Sequence, residues 1–226
     1  LMLGQHEDVV ALAEQVAQTI ADSPFKGDLY LDQQEQLAWL CDRAGEALVR
    51  LGRKDDAIAM YRRAAGSKEQ GHENVSQVLN LAHRLVSAGK PREALEVAAT
   101  AGNMSPFGRM VLVHVQHRAA LALGDAPAAD AALEYLRSHR DDGDGIYTEA
   151  LLERGQDDAA AASLIASLED PEQRGEALYS VQRFIESGSF DPARLARWRA
   201  MVAREDVQAA INRHGRQLDV PLEEPW

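Results

Sequence analysis

The chain has 226 residues, 46% of them hydrophobic, and carries 24 Lys and Arg against 36 Asp and Glu, a net charge of −12. That size buries a core in one or two compact domains or in one elongated array. The charge repels phosphate backbones and anionic lipid surfaces, so no nucleic acid is expected as a ligand. No stretch approaches the roughly 20 consecutive apolar residues of a membrane span, and no membrane insertion is expected.

Long runs rich in Ala, Leu, Glu, Gln and Arg are separated by short turns, and no segment of four or more residues alternates like a half-buried strand, so the predicted fold class is all-α. In chain order, caps and apolar periodicity predict helices over 6–22, 32–51, 55–65, 73–88, 91–101, 106–123, 127–138, 145–154, 157–168, 172–187, 192–204 and 205–214. Pro91, Pro106, Pro127, Pro171 and Pro192 each precede an apolar-periodic run, where a first-turn proline loses no hydrogen bond. Ser105, Asp170 and Asp191 stand before three of them as N-caps. Residues 215–226 are expected to form an extended tail.

Gly52, Gly89, Gly124 and Gly155 each close one predicted helix just before the next, at spacings of 37, 35 and 31 residues. Five residues after each glycine stands a small residue, Ala57, Ala94, Ala129 or Ala160, which lets two helices approach closely. Four residues before each stands Leu48, Leu85, Ala120 or Leu151. In the best-preserved unit, Gly45-x-x-Leu48, Gly52, Ala57-x-x-x-Tyr61 and Ala64 make a pattern that resembles the tetratricopeptide repeat, whose period is about 34 residues. Cys41 and Ala44 stand where that family carries Trp and Leu. The second unit keeps Leu81-Ala82, Leu85, Gly89, Ala94, Ala101 and Pro106; the third and fourth keep little beyond glycine and alanine.

The resemblance implies an α-solenoid of stacked antiparallel helical hairpins, a TPR-like superhelix. Residues 1–31 would supply the second helix of a partial hairpin and a loop, 32–168 four degenerate hairpins, and 172–214 capping helices. A hairpin of two short amphipathic helices buries its apolar face only by stacking on its neighbours. Because the sequence opens on Leu1-Met2, an upstream segment is expected. A soluble chain is expected and its compartment stays open, cytoplasmic being favoured over periplasmic unless a signal preceded Leu1.

Constellations for chemistry are sparse. His114 and His117 lie one helical turn apart, yet no HExxH, cysteine pair or neighbouring acid completes a metal shell, so no metal is expected. Aligning Arg140 to Gly145 on a calcium loop puts Arg140 at the first ligand position and Leu151 at the bidentate one, and the segment reads as a solvated linker. Cys41, the single cysteine, sits in an apolar helical run and reads as a buried thiol. With no GxSxG and no glycine-rich phosphate loop, no enzyme activity and no cofactor are expected.

The resemblance places a ligand groove on the first helix of each hairpin. By the turn-glycine register it presents Trp39, Asp42 and Glu46, then Leu79, Asn80, His83 and Val86, then His114 and Arg118. The expected function is a non-catalytic protein-interaction scaffold whose partner is another protein or a peptide, apolar or basic, met by Trp39, Leu79 and Val86 with Asp42 and Glu46 as countercharge. A buried acid/base cluster in the groove would argue against that reading. The alternative is an accessory helical domain of a larger enzyme or envelope component. A homo-oligomer is a third expectation, because residues 192–217 hold six arginines against Glu205 and Asp206, a local charge of 6 − 2 = +4.

Overall fold

The structure, a computed structural model, describes residues 3–24, 32–67, 74–143, 145–185 and 188–223. It is mostly helical. The helices are α1 (His6–Ala21), α2 (Gln33–Arg50), α3 (Lys54–Ala65), α4 (Ser76–Ser87), α5 (Pro91–Ala98), α6 (Pro106–Leu123), α7 (Ala126–Ser138), α8 (Ile146–Glu153), α9 (Asp157–Glu169), α10 (Arg174–Ser180), α11 (Pro192–Val202) and α12 (Glu205–His214). Two short strands, β1 (Arg183–Ile185) and β2 (Asp219–Glu223), pair with each other. Two of the three caps act as read: Ser105 Oγ accepts the Gly108 N–H at 3.1 Å and the Asp191 carboxylate accepts that of Arg194 at 3.0 Å, each satisfying an orphan donor of a first turn; Asp170 instead closes α9, and α10 begins only at Arg174.

Two compact units are distinguished: Leu1–Met104 with Glu186–Phe190 and Leu222–Trp226, and Ser105–Ile185 with Asp191–Pro221. The division falls inside the predicted 32–168 array. In the first unit α2 packs on α1 and α3, α3 on α4, and α4 on α5. Its core is built from small residues, with Ala38, Cys41, Ala44, Ala47, Ala57, Ala64, Ala82, Ala94 and Ala98 all buried beside Leu48, Ile58, Leu81 and Leu85. Small side chains bring α2 and α3 so close that a methyl group on Gly45 would lie 3.0 Å from the ring of the buried Tyr61. Cys41 is buried, and burial pushes its thiol pKa up, as expected of a packing cysteine.

In the second unit α6 pairs with α7 and α8 with α9, while α10, α11 and α12 cover α9. Leu151, Leu152, Ala160, Leu164 and Leu168 meet Met201, Val202, Val207 and Ile211 in one cluster, and Met110, Leu136 and Ala150 form another.

One turn recurs four times. Gly52, Gly89, Gly124 and Gly155 have φ of +76°, +75°, +73° and +80°, the left-handed region that favours glycine. After each, the next residue's N–H reaches back to the helix it has left: Arg53 to Leu48 O at 2.8 Å, and Lys90 to Leu85 O, Asp125 to Ala120 O and Gln156 to Leu151 O at 2.9 Å. The glycine's own N–H bonds Val49, Val86, Leu121 or Leu152 O at 2.9 to 3.1 Å, completing the Schellman pattern that satisfies orphan carbonyls. Ala57, Ala94, Ala129 and Ala160 then donate to the carbonyls of Arg53, Lys90, Asp125 and Gln156 and are fully buried.

The predicted helix over 172–187 is corrected. Among the described residues it runs only over α10, residues 186 and 187 lying outside them; Pro171 precedes the helix, where the Asp170 carboxylate accepts the Glu172 N–H at 2.9 Å. The following β-prone Phe184 and Ile185 are captured by the chain end. The Arg183 N–H donates to Leu218 O at 3.0 Å, Gln182 Oε1 accepts the Leu218 N–H at 2.7 Å, and the Arg183 guanidinium clasps Asp219. The predicted tail is extended, and part of it is β2; residues 224–226 lie outside the described residues.

Nothing lies within 4 Å of a Cβ built on Gly52 or Gly155, so alanine there meets backbone strain alone. Gly52→Ala and Gly155→Ala are each expected to lower the unfolding free energy by about 1 kcal/mol, and equally, in urea denaturation.

Candidate functional site

In the first unit α2 and α4 meet across a buried polar contact. Asn80 Nδ2 donates to Asp42 Oδ1 at 3.0 Å, uniting two residues of the predicted groove. Burial pushes the Asp42 carboxyl above its ordinary pKa, although the Asn80 bond, Arg84 and Arg43 pull the other way. Beside it the Arg84 guanidinium lies 5.4 Å from the centre of the Tyr61 ring. The Tyr61 hydroxyl is buried beside the Arg84 guanidinium, and burial drives the Tyr61 pKa up to about 12 against the pull of that cation. Tyr61 and Arg84 were not among the predicted site residues; the i, i+4 step from Asn80 to Arg84 is the signal that links the latter to the groove face.

Trp39 and His83, one turn from Asp42 and Asn80, are half-buried, with the Arg43 guanidinium 5.9 Å from the centre of the Trp39 ring. Glu46 is not a countercharge displayed at the surface. It is buried and receives Arg43 Nη1 at 3.1 Å and Arg50 Nη2 at 2.8 Å. Leu79 and Val86, expected to offer apolar contact, are 3% and 9% exposed and belong to the core.

The second unit holds a denser cluster. Glu153, the last residue of α8, takes His114 Nε2 on Oε2 at 2.9 Å, and Arg118 Nε and Arg194 Nε lie 3.0 and 3.1 Å from Oε1. Arg194, at the start of α11, also pairs with Glu149, and its guanidinium pKa is raised chiefly by that carboxylate. Burial alone would raise the Glu153 pKa; His114, His117 and Arg118 overcome this and hold it well below the ordinary carboxylate range. His117 is fully buried, its Nδ1 3.9 Å from Glu153, and neither ring nitrogen has a hydrogen-bond partner. The cluster therefore joins His114 and Arg118, two predicted site residues, through an acid 35 or more residues further along the chain that sequence spacing gave no reason to choose.

The arginines of α11 and α12 are engaged inside the same unit. Arg197 donates to Leu152 O, Arg204 pairs with Asp158 and Asp206, and Arg213 with Glu169. The local excess of positive charge thus meets acids of α8 and α9. Among the described residues no group of three or more His, Cys, Asp or Glu is arranged to hold a metal ion, and no helix is long and apolar enough to cross a membrane. No protein-family model, curated protein or solved structure matches this chain.

A carboxylate whose folded pKa is depressed contributes stability above its unfolded pKa of about 4.3 and loses it as pH falls through the folded value. Glu153→Gln, which leaves buried cations unpaired, is expected to cost about 3 kcal/mol at pH 7 in urea denaturation. The gap from the unaltered chain should narrow as pH falls below about 4; a gap constant with pH would show that Glu153 ionisation contributes nothing.

Proposed function

We propose that this chain is a non-catalytic protein-interaction scaffold, a degenerate tetratricopeptide-like array of helical hairpins whose partner is a protein or peptide. The observation that carries the reading is the fourfold turn, in which glycine, returning N–H and buried alanine recur in the same positions after α2, α4, α6 and α8. The close approach of Gly45 to Tyr61 supports it, because both stand where the family pattern requires them. The binding surface we assign to the first unit consists of the half-buried Trp39, Asn80 and His83 around the buried carboxylate of Asp42.

Asp42 is the residue whose chemistry the fold alone does not account for. A charge held at the cost of desolvation is characteristic of functional positions, where the partner recovers the cost. A basic or amide-bearing group on the partner suits the half-buried Asn80, through which the buried Asp42 carboxylate would act.

The Glu153 cluster favours a second reading, an enzyme with His114 and Glu153 as an acid/base pair. Its geometry suits a structural staple better. Glu153 Oε2 is taken by His114 and Oε1 is flanked by the guanidiniums of Arg118 and Arg194, the depressed pKa makes the carboxylate a weak base, and His114 and His117 are 2% and 0% exposed.

Affinity capture from host lysate tests the scaffold reading. A partner held by the intact chain should be lost by a Trp39→Ala/His83→Ala variant of unchanged helical circular dichroism. Asp42→Asn should weaken that partner at least about tenfold while leaving unfolding free energy within about 1 kcal/mol or raising it, since the buried charge is removed. Unchanged binding together with a large loss of stability would make Asp42 a structural residue.

A further inference from the structure

The first helix opens with the same turn that recurs between the paired helices. Gly4 has φ +73°, against +73° to +80° for Gly52, Gly89, Gly124 and Gly155. The residue after it, Gln5, stands at φ −81° and ψ +53°; Arg53, Lys90, Asp125 and Gln156 stand at φ −85° to −114° and ψ +57° to +80°. In all five places the helix starts one residue later. The Val9 N–H then donates to Gln5 O, as the N–H groups of Ala57, Ala94, Ala129 and Ala160 do to the residue four before them. By its own backbone, α1 is set as the second helix of a pair.

Its side chains show an open face in that register. The fifth and twelfth residues after the glycine are Ala57 and Ala64 in α3 and Ala129 and Leu136 in α7, all fully buried. In α1 they are Val9 and Val16, both only half-buried. Together with Leu12, which is 51% exposed, and the half-buried Ile20, they make one aliphatic stripe at helical spacing. The neighbouring face is satisfied, since His6, Val10, Ala13 and Ala17 are buried and α1 packs on α2. The stripe thus extends by one unit the face that α3 turns to α2 and α7 turns to α6. Aliphatic patches of this kind, bordered by polar residues, mark interaction surfaces.

Charge selects the occupant. Within α1 there are Glu7, Asp8 and Glu14 and no Lys or Arg. A second copy docking through its own α1 would set three carboxylates against three, whereas a helix with basic edges would be drawn in.

We propose that the Val9–Leu12–Val16–Ile20 face of α1 is a docking site for an amphipathic helix of a partner protein, apolar on one side and basic at its edges. That helix takes the place against α1 that α2 takes against α3. Recognition is by apolar anchors at three- and four-residue spacing, as where a helix lies in a groove. The site rests on the scaffold reading for the existence of a partner, but it shares no residue with the surface around Asp42.

The test uses the full chain with labelled methyl groups. In the free chain a soluble nitroxide should broaden the Leu12 and Val16 signals; unbroadened signals would mean that a segment of the chain already covers the face, and would overturn the proposal. The probe is the synthetic peptide of residues 105–124, which carries its own N-cap and closing glycine, Arg109 and Arg118, and no acid. Added to millimolar concentration, it should shift the Val9, Leu12, Val16 and Ile20 signals saturably. Leu12→Glu, placed on an exposed side chain, should weaken binding at least about tenfold, and so should Arg109→Glu/Arg118→Glu in the peptide. Leu12→Gln serves as a second variant if Leu12→Glu unfolds the chain. Silence of α1 toward the peptide, or equal binding of both peptides, overturns the proposal. A dimer seen in sedimentation and lost in the Leu12 variant would make the occupant a second copy and overturn it too. Partner capture that depends on Trp39 and His83 while α1 stays silent would sink this site alone; the converse would sink the Asp42 surface and leave α1 standing.

Discussion

To build a core from alanine, a chain must bring helix axes close, and to do that it must reverse direction within two or three residues. The left-handed glycine after α2, α4, α6 and α8 meets that demand: it lets the next N–H return to a carbonyl one turn inside the helix and delivers a fully buried alanine to the facing helix. Remove the left-handed residue and the following helix starts at another angle, the alanine no longer seats, and the close contact of Gly45 with Tyr61 has no reason to exist. The recurring glycine, apolar residue and alanine are therefore parts of one local device.

Much of the helical fold was legible because this device is local. Caps such as Ser105 and Asp191, turn glycines and apolar periodicity act over a few residues, and the predicted helices agree with α1, α3, α6, α7, α9 and α12 to within a residue or two. What was illegible is long-range. β1 exists because residues 217–219, more than 30 positions away, offer hydrogen bonds to Val181, Gln182 and Arg183. The β-prone Phe184 and Ile185 are the only local trace of that capture in 172–187, and they do not name the partner strand.

The site shows the same contrast. Register counting put Asp42 and Asn80 among the groove residues of two successive hairpins without pairing them, and the structure joins them by a hydrogen bond. It misjudged exposure: Asp42, Glu46, Leu79, Val86, His114 and Arg118 were all placed on the predicted groove face, yet the structure buries them, and Glu46 is neutralised by Arg43 and Arg50. Glu153 was invisible as the partner of His114 and Arg118, since it stands at the last position of α8, where periodicity is weakest. Burial of the Glu153 carboxylate is costly unless it is paired, and His114, Arg118 and Arg194 meet that demand; the pairs of Arg204 with Asp158 and of Arg213 with Glu169 lie at the surface and contribute little.

Amide hydrogen exchange on the intact chain addresses the turn most directly, at four backbone sites: Arg53, Lys90, Asp125 and Gln156. If each helix pair is closed by the same returning hydrogen bond, all four amides exchange slowly, as residues inside a helix do, although none lies in one. Exchange at the rate of an open loop at these positions would contradict the shared turn, and with it the repeat architecture on which the scaffold reading rests.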